Sequence, residues 1–373
     1  MRVYFVENET PNRDSSGGIM TYVINLSNFL REKGFTTILL GSDSNETPNK
    51  NNLFSDFTPV VRKINVSNFK YIINLFKIIC KLEFDDNTIV HAQRPDMLFP
   101  FIVLARAKKS ICTLHGAHDL AVFDKKGLFN GYIYSFLQKI AFKKVSFLIA
   151  VDKKTKEHYV RKYPFIKHKI DVVPIGVDFE KFKPLEKNEL REKYQLGLND
   201  EIILYVGRLE KEKNLSFLID AFTFIKEKNK GAKLVLVGAG REEAMLREKC
   251  KMLNLNSVIF FGEIDNTRIP ELMNCADVFA FYSLYEGSPT VIKEALACDL
   301  PVVSVEVGDV KEVIENIEGC ILSDRNTEDF ARNIITALSA TNKKKDIRNQ
   351  IMRFDSKNVG EQIYKYYQVL INK

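Results

Sequence analysis

The sequence has no Cys-x-x-Cys pair: its six cysteines, Cys80, Cys112, Cys250, Cys275, Cys298 and Cys320, are scattered. That spacing excludes a zinc ribbon or a redox dithiol and reads as reduced, mostly buried thiols. Asp-x-Asp is also missing, so the sequence offers no carboxylate pair to bridge a divalent metal. No run of about 18 apolar residues occurs. The longest candidate, Met97 to Ala107, is broken by Pro100 and Arg106. Met1 leads straight into the apolar Val3 to Val6, without the ordered basic, apolar and cleavage regions of a signal peptide, so a cytoplasmic protein is expected. No helix-turn-helix, zinc-finger or RNA-binding signature accompanies the positive charge, and nucleic acid is not an expected partner.

What is present is an ordinary globular composition, 45% hydrophobic and 28% charged, which excludes a disordered or fibrous chain. At 373 residues two domains are favoured, because single cores rarely grow past about 250 to 300 residues. Short β-rich runs alternate with helix-period runs throughout, the pattern of an α/β protein with parallel sheets covered on both faces. Strands are predicted at Val3 to Glu7, Thr37 to Gly41, Ile89 to Ala92, Ile111 to Leu114, Leu148 to Val151 and Ile170 to Val173. A second set follows at Ile202 to Val206, Leu234 to Val237, Val258 to Phe261, Val278 to Tyr282, Val302 to Val305 and Cys320 to Leu322. Two similar sets imply two doubly wound domains. The proline- and charge-rich stretch from Pro174 to Asp200 separates them, giving domains 1–176 and 177–354. In the remaining 355–373, Ile363, Tyr366, Tyr367 and Leu370 form a helical stripe that can pack back on the first domain or within the second.

Charge is uneven. Residues 1–180 carry 26 basic against 18 acidic side chains, or +8, leaving −1 for the rest of a chain whose formal charge is +7. The pairs Lys108-Lys109, Lys125-Lys126, Lys143-Lys144, Lys153-Lys154 and Arg161-Lys162 recur near Phe123, Phe129, Tyr132, Tyr134 and Phe136. This fits either a solvated surface or a peripheral face toward an anionic membrane or lipid phosphate.

The most informative segment runs from Asp277 to Ile314 and reads strand, loop, helix, strand. Ser288-Pro289 has the form of an N-cap with proline at the first helical position, after Gly287. Thr290 and Val291 would then present unpaired backbone N–H groups to an anion such as a diphosphate. Glu286 precedes the helix and Glu294 lies about 1.7 turns inside it, so the pair can address two ends of one ligand. Carboxylates accept hydrogen bonds from neighbouring hydroxyls, fitting a ribose at Glu294 and a hexose at Glu286. Spacing alone equally fits a helix-dipole complement and a solvated loop acid.

Elsewhere, a strand delivers Gly207, Arg208 and Lys213 to a loop ending at the predicted N-cap Asn214. Cations there are disfavoured by the helix dipole unless an anion lies between them. Gly17 and Gly18 can bring backbone N–H groups close to a phosphate or sugar, or form a plain turn. Gly238-Ala239-Gly240 lacks the third glycine of a dinucleotide fingerprint and reads as a tight turn. His115 ends a strand at the carboxyl edge of the first sheet, where open α/β folds bind ligands; His91 and His118 have weaker claims.

EGSPTVIKEALACDLPVV, from Glu286 to Val303, resembles the hallmark of family 4 of the retaining glycosyltransferases, two glutamates separated by seven residues. YVGRLEKEKNLSFLIDAF, from Tyr205 to Phe222, matches as well, as do SGGIMTYVINLSNFLREKGFTTILL, PIGVDFEKFKP, KLVLVGAGREEAMLREKC and VIFFGEI. The resemblance covers nearly the whole chain. It implies a GT-B fold, two Rossmann-like domains facing a central cleft, the first binding acceptor and the second the nucleotide sugar. It also implies retaining transfer of a hexosyl unit, with a UDP-sugar favoured, to a saccharide or lipid-linked acceptor in surface polysaccharide assembly of the teichuronic-acid kind. No metal or other cofactor is expected. Arg208 and Lys213 would neutralise the donor diphosphate, His115 would face the donor sugar beside Glu286, and Glu294 would hold the ribose. Asp152, Ile175, Ser288-Pro289 and Asp299 depart from the family pattern, and Ser288-Pro289 leaves the identity of the sugar open. An epimerase of the same fold, or a non-catalytic nucleotide-sugar-binding subunit, are the alternatives. A cytoplasmic enzyme, peripheral at the inner face of the cell membrane if the basic half meets lipid, is the combined expectation.

Overall fold

A computed structural model describes residues 1–10, 18–42, 53–62, 67–340 and 346–372. The chain divides into two compact units, Met1–Gly176 with Ser356–Lys373, and Val177–Asp355.

The first unit runs β1 (Arg2–Val6), α1 (Gly18–Glu32), β2 (Thr36–Ser42), β3 (Asp56–Val61), α2 (Asn68–Ile79), β4 (Thr88–Ala92), α3 (Pro95–Val103), β5 (Lys109–Leu114), α4 (His118–Lys144), β6 (Phe147–Ala150), α5 (Lys153–Lys162) and β7 (Ile170–Val172). Its sheet is parallel throughout, in the order β3-β2-β1-β4-β5-β6-β7. Helices cover both faces, so its strands read as continuous apolar runs: β1 sends Tyr4 and Val6 into one core and Val3 and Phe5 into the other. The sequence pattern had not revealed β3. Its Pro59 interrupts the run, and a proline is tolerated there because β3 is an edge strand.

The second unit runs α6 (Lys187–Lys193), β8 (Glu201–Val206), α7 (Leu215–Lys228), β9 (Ala232–Val237), α8 (Glu243–Met252), β10 (Val258–Gly262), α9 (Ile269–Cys275), β11 (Val278–Phe281), α10 (Thr290–Ala297), β12 (Val302–Val305), α11 (Val310–Ile314), β13 (Ile321–Ser323), α12 (Thr327–Ser339) and α13 (Ile347–Gln350). Its parallel sheet has the order β10-β9-β8-β11-β12-β13. Each unit therefore reverses its strand order once, between β1 and β4 and between β8 and β11. The α/β class, and two Rossmann-like units, are what the alternating pattern predicted.

The last helix, α14 (Ser356–Ile371), lies in the core of the first unit. Its stripe of Val359, Ile363, Tyr367 and Leu370 is buried there, and a Cβ on Gly360 would come within 2.6 Å of the Phe29 ring. Tyr366 stands half out and donates to Asp171 Oδ2 at 3.0 Å. The Tyr367 hydroxyl meets His91 Nδ1 at 2.7 Å, and His91 Nε2 meets Thr113 Oγ1 at 2.8 Å. Burial lowers His91 to about 3, which keeps the ring neutral between these two hydroxyls. Its histidine chemistry is thus structural, tying α14 to β4 and β5.

The family departures have local explanations. Asp152 caps α5, accepting from Thr155 N at 2.7 Å. Ile175 is a core residue. Asp299 follows α10 at φ 58°, a left-handed position that usually takes glycine, and its carboxylate accepts from Arg348 N at 2.7 Å.

Tyr367→Phe leaves a buried imidazole nitrogen without its partner. It is expected to destabilise the first unit by about 1–3 kcal/mol, read as a lower melting temperature, while Tyr366→Phe, half exposed, changes it little.

Candidate functional site

The carboxyl ends of β8 and β11, where the second sheet reverses its order, carry the loops in question, and open α/β sheets bind ligands at such a crevice. After β8 the chain passes Gly207, whose added Cβ would lie 2.7 Å from Tyr205 Oη. Gly238, at φ 127°, faces it so closely that a Cβ there would reach Gly207 O at 2.0 Å. Leu209 N donates to Ala239 O at 2.9 Å, and a Cβ on Gly240 would strike the Leu209 carbonyl. Gly238-Ala239-Gly240 is thus the turn the sequence suggested, and the absence of side chains on its two glycines allows the Arg208 loop to lie directly on it.

Arg208 is exposed, its guanidinium 3.4 Å from the Glu212 carboxylate. Lys213 ends a short 3-10 turn and is mostly covered, forming an ion pair with Glu286 and lying 6.0 Å from the Phe281 ring centroid. Asn214 takes the N-cap position of α7 in a left-handed conformation (φ 42°) without a side-chain capping bond. Leu284 N and Ser283 Oγ donate to Glu212 O at 2.8 and 3.2 Å, so the loop bearing Lys213 and the loop bearing Glu286 are tied through backbone.

Ser288 is not the N-cap of α10. Pro289 holds that position with an extended backbone and no side-chain bond, and Thr290 opens the helix. The Ser288 hydroxyl is engaged elsewhere: it donates to Asp309 Oδ2 at 2.7 Å and accepts from Lys293 Nζ at 2.7 Å. Lys293 is wholly buried and pairs with Asp309 at 2.8 Å, its ammonium 4.9 Å from the Phe354 ring centroid. Asp309 N also donates to Gly287 O at 3.0 Å, and Gly308, at φ 55°, packs against that same carbonyl. Lys293 and Asp309 thereby fix the backbone just after Glu286. The sequence reading missed both. The available signal was a lysine at a buried helical position, matched by an aspartate one residue after Gly308.

With no side-chain cap supplied, the first N–H groups of α10, at Thr290 and Val291, face outward from the helix start without an intrahelical acceptor. Glu294 sits one turn on. Burial raises its carboxyl above the usual range, with the Lys181 charge and the Thr290 hydroxyl acting in the opposite direction. The helix start, Arg208 and Lys213 are groups of the kind that suit an anion, with a carboxylate on either side of the helix start in sequence.

His115, assigned by sequence to the same chemistry, lies in the first unit. It follows β5, stacks edge-on to Tyr22 at 5.2 Å, and places Nε2 2.9 Å from Gln93 Oε1. Burial holds it well below the ordinary histidine value, so the ring is neutral. Gly18 begins α1, with open space where a Cβ would stand; Gly17 lies outside the described residues. Among the described residues no group of three or more His, Cys, Asp or Glu is arranged to hold a metal ion.

Residues 16–181 match the family described as Glycosyltransferase Family 4, and residues 186–353 match the one described as Glycosyl transferases group 1. The chain belongs to glycosyltransferase family 4. It is an enzyme that transfers sugars, with the GT-B fold. The UDP-Gal:alpha-D-GlcNAc-diphosphoundecaprenol alpha-1,3-galactosyltransferase of Escherichia coli is 28% identical to it, over 83% of this chain and 81% of that one. CapM, a capsular polysaccharide biosynthesis glycosyltransferase of Staphylococcus aureus, is 26% identical over 92% and 93%. Anabaena HepE, solved in complex with UDP, superposes with a TM-score of 0.79 at 20% identity, over 99% of this chain and all of that one. In this family 4 glycosyltransferase the glutamate-bearing loop rests on a buried charge pair. Lys293→Met, which strands the Asp309 carboxylate, is expected to destabilise the second unit by about 3–5 kcal/mol, and Lys293→Met with Asp309→Leu to restore much of that in a denaturant titration.

Proposed function

We propose that this enzyme moves a hexosyl unit, with retention and without a metal, from a UDP-sugar to a lipid-linked saccharide in the assembly of a bacterial surface polysaccharide. The observation that carries the reading is the arrangement around α10: uncapped helix N–H groups, Lys213 paired to Glu286, an exposed Arg208, and Glu294 within the helix. The helix start and Arg208 suit the donor diphosphate, and Glu294 suits the ribose hydroxyls. Lys213 would lie between the diphosphate and Glu286, which accepts hydroxyls of the transferred sugar. HepE, of like fold, was solved with UDP, and the E. coli relative is named for a UDP-Gal donor and a diphosphoundecaprenol acceptor. The name of a Campylobacter jejuni relative, 26% identical over 78% of both chains, also gives a diphospho-undecaprenol acceptor.

As the bond to the leaving diphosphate stretches, negative charge grows on its oxygens and positive charge on the sugar ring. Fixed cations and helix amides stabilise the first, and the Glu286 carboxylate stands by for the second. The leaving phosphate oxygen would take the acceptor proton on the same face, giving retention.

A lipid-linked acceptor places the enzyme at a membrane, and the first unit offers a suitable face. No described helix is long and apolar enough to cross a bilayer. However, Leu128, Phe129, Tyr132 and Phe136 on α4 are 70%, 78%, 68% and 64% exposed, with Lys139, Lys143 and Lys144 exposed further along the helix. This face is narrower than the sequence suggested. Tyr134 is buried, Lys108 pairs with Asp86, and Lys162 pairs with the buried Asp119. The side chains of Phe123, Lys125 and Lys126 lie outside the described set. Aromatic rings at the headgroup level with lysines alongside fit an anionic surface.

Arg208→Ala and Lys213→Ala should each lower kcat by about 10²–10³-fold through lost transition-state stabilisation. Glu294→Ala should chiefly abolish the rise in melting temperature that UDP produces, and added EDTA should leave turnover unchanged. Wild-type rates in all three variants would sink the site assignment. Phe129→Ser/Tyr132→Ser/Phe136→Ser should lose cosedimentation with phosphatidylglycerol vesicles while retaining the UDP-induced stabilisation; undiminished cosedimentation would rule out this face.

A further inference from the structure

The segment that carries Glu286 is held on both sides, by different means. Before it, the bonds of Leu284 N and Ser283 Oγ to Glu212 O fix its entry, and Ser283 Oγ also lies 3.2 Å from Tyr285 O. After it, Asp309 N donates to Gly287 O at 3.0 Å, and a Cβ on Gly308 would come within 2.0 Å of Gly287 O and 3.1 Å of Glu286 O. The loop after β12 thus lies directly on the Glu286–Gly287 backbone. A ring of three hydrogen bonds locks that contact. Lys293 Nζ donates to Asp309 Oδ2 at 2.8 Å and to Ser288 Oγ at 2.7 Å, and Ser288 Oγ donates to the same Oδ2 at 2.7 Å. Lys293 belongs to α10, Ser288 to the turn before it and Asp309 to the loop after β12, so the ring joins three pieces of chain.

Such a ring could add stability, read the donor or set a position. Stability is poorly served. Both ions have left water, with Lys293 0% and Asp309 6% exposed, and Asp309 Oδ1 is buried with no hydrogen-bond partner among the described residues. Apolar side chains of similar volume would avoid both costs. Reading the sugar is no better served, because the Ser288 hydroxyl spends its single proton on Asp309 and also accepts from Lys293, while the lysine and the aspartate are closed to solvent. What the ring leaves accessible is the neighbour it braces, Glu286, whose carboxylate keeps an exposed edge beside Lys213.

We propose that Lys293, Ser288 and Asp309 are positioning residues for the transfer: the ring seats the Gly287–Ser288 turn so that Glu286 and the start of α10 meet the donor in one fixed arrangement, and none of the three touches the sugar. This rests on the reading above in which Glu286 serves the transferred sugar. It assigns Ser288, a departure from the family pattern, to the scaffold and leaves the choice of sugar to Glu286 and the backbone around it. Misplacing a reacting group by about 1 Å costs on the order of 10²-fold in rate, whereas Glu294 is carried by the helix itself.

Lys293→Met/Asp309→Leu removes the ring and both buried charges together, which separates position from stability. Its kcat in a transfer assay should fall about 10–100-fold, with a melting temperature close to wild type and an affinity for UDP within about threefold. Ser288→Ala keeps the ion pair. It should lower kcat about five- to tenfold, with the order of preference among UDP-glucose, UDP-galactose and UDP-N-acetylglucosamine as in the wild type. Undiminished kcat in the folded double variant overturns the proposal, and so does an equal loss of UDP affinity, which would put the ring in nucleotide binding. A changed donor order in Ser288→Ala shows that Ser288 reads the sugar and overturns it as well. Should the double variant fail to fold, Ser288→Ala decides. A third measurement needs no turnover: exchange of the Asp309 amide, the donor to Gly287 O, followed by mass spectrometry on a peptide spanning residues 306–314. It should quicken about fivefold in Ser288→Ala while the rest of the second unit is unchanged, and an unchanged rate overturns the positioning role. If the wild type transfers from no UDP-sugar, the proposed reaction fails, while the exchange rate still judges the ring.

Discussion

An all-parallel sheet forces every connection to cross over through a helix, and this constraint governs the rest of the molecule. The strand ends on one edge are then free of hairpins, and wherever the strand order reverses, two crossovers leave in opposite directions and open a gap. The chain does this twice, at β1/β4 and at β8/β11. All the groups with chemical potential, Glu7 and Arg94 in one unit and Arg208 and Glu286 in the other, stand just past the carboxyl ends of those strands. Hydrophobic side chains fill both faces of each sheet.

At the second gap, buried charge does two different jobs. Lys293 and Asp309 are neutralised internally and clamp the backbone of Gly287 and Ser288. Such a pair contributes little net stability compared with an apolar substitute, since both ions have left water. What it contributes is position: the three donors of an ammonium fix a serine and a carboxylate at once, holding the turn between Glu286 and α10 in one arrangement. Lys213 and Glu286 are mostly covered but, unlike Lys293, keep an exposed edge through which a ligand could reach the pair.

Much of this was legible in the residues. Strand periodicity located all but one strand, and the failure at β3 is physical, because an edge strand needs neither an unbroken apolar run nor every N–H. The glutamate spacing and the basic loop after β8 pointed to loops that the structure brings together, Lys213 pairing with Glu286. Ser288 misled because Ser-Pro has the form of a cap in isolation, while its actual partner, Asp309, lies on the following crossover and is brought near only by the sheet. The same holds for His91, whose neutral ring depends on Tyr367 in the final helix.

The two gaps differ in electrostatic character. Around α10 the helix start has no side-chain cap, and the two cations nearby, Lys213 and Arg208, lean on the carboxylates of Glu286 and Glu212. Around Arg94 the guanidinium is paired with Asp96, and burial pushes Glu7 up and His118 down, toward their neutral forms. A diphosphate entering the second environment would lose its hydration without gaining a counter-charge. Burial, acting through opposite shifts on an acid and an imidazole, therefore leaves neutral groups at one parallel-sheet edge where the other carries cations.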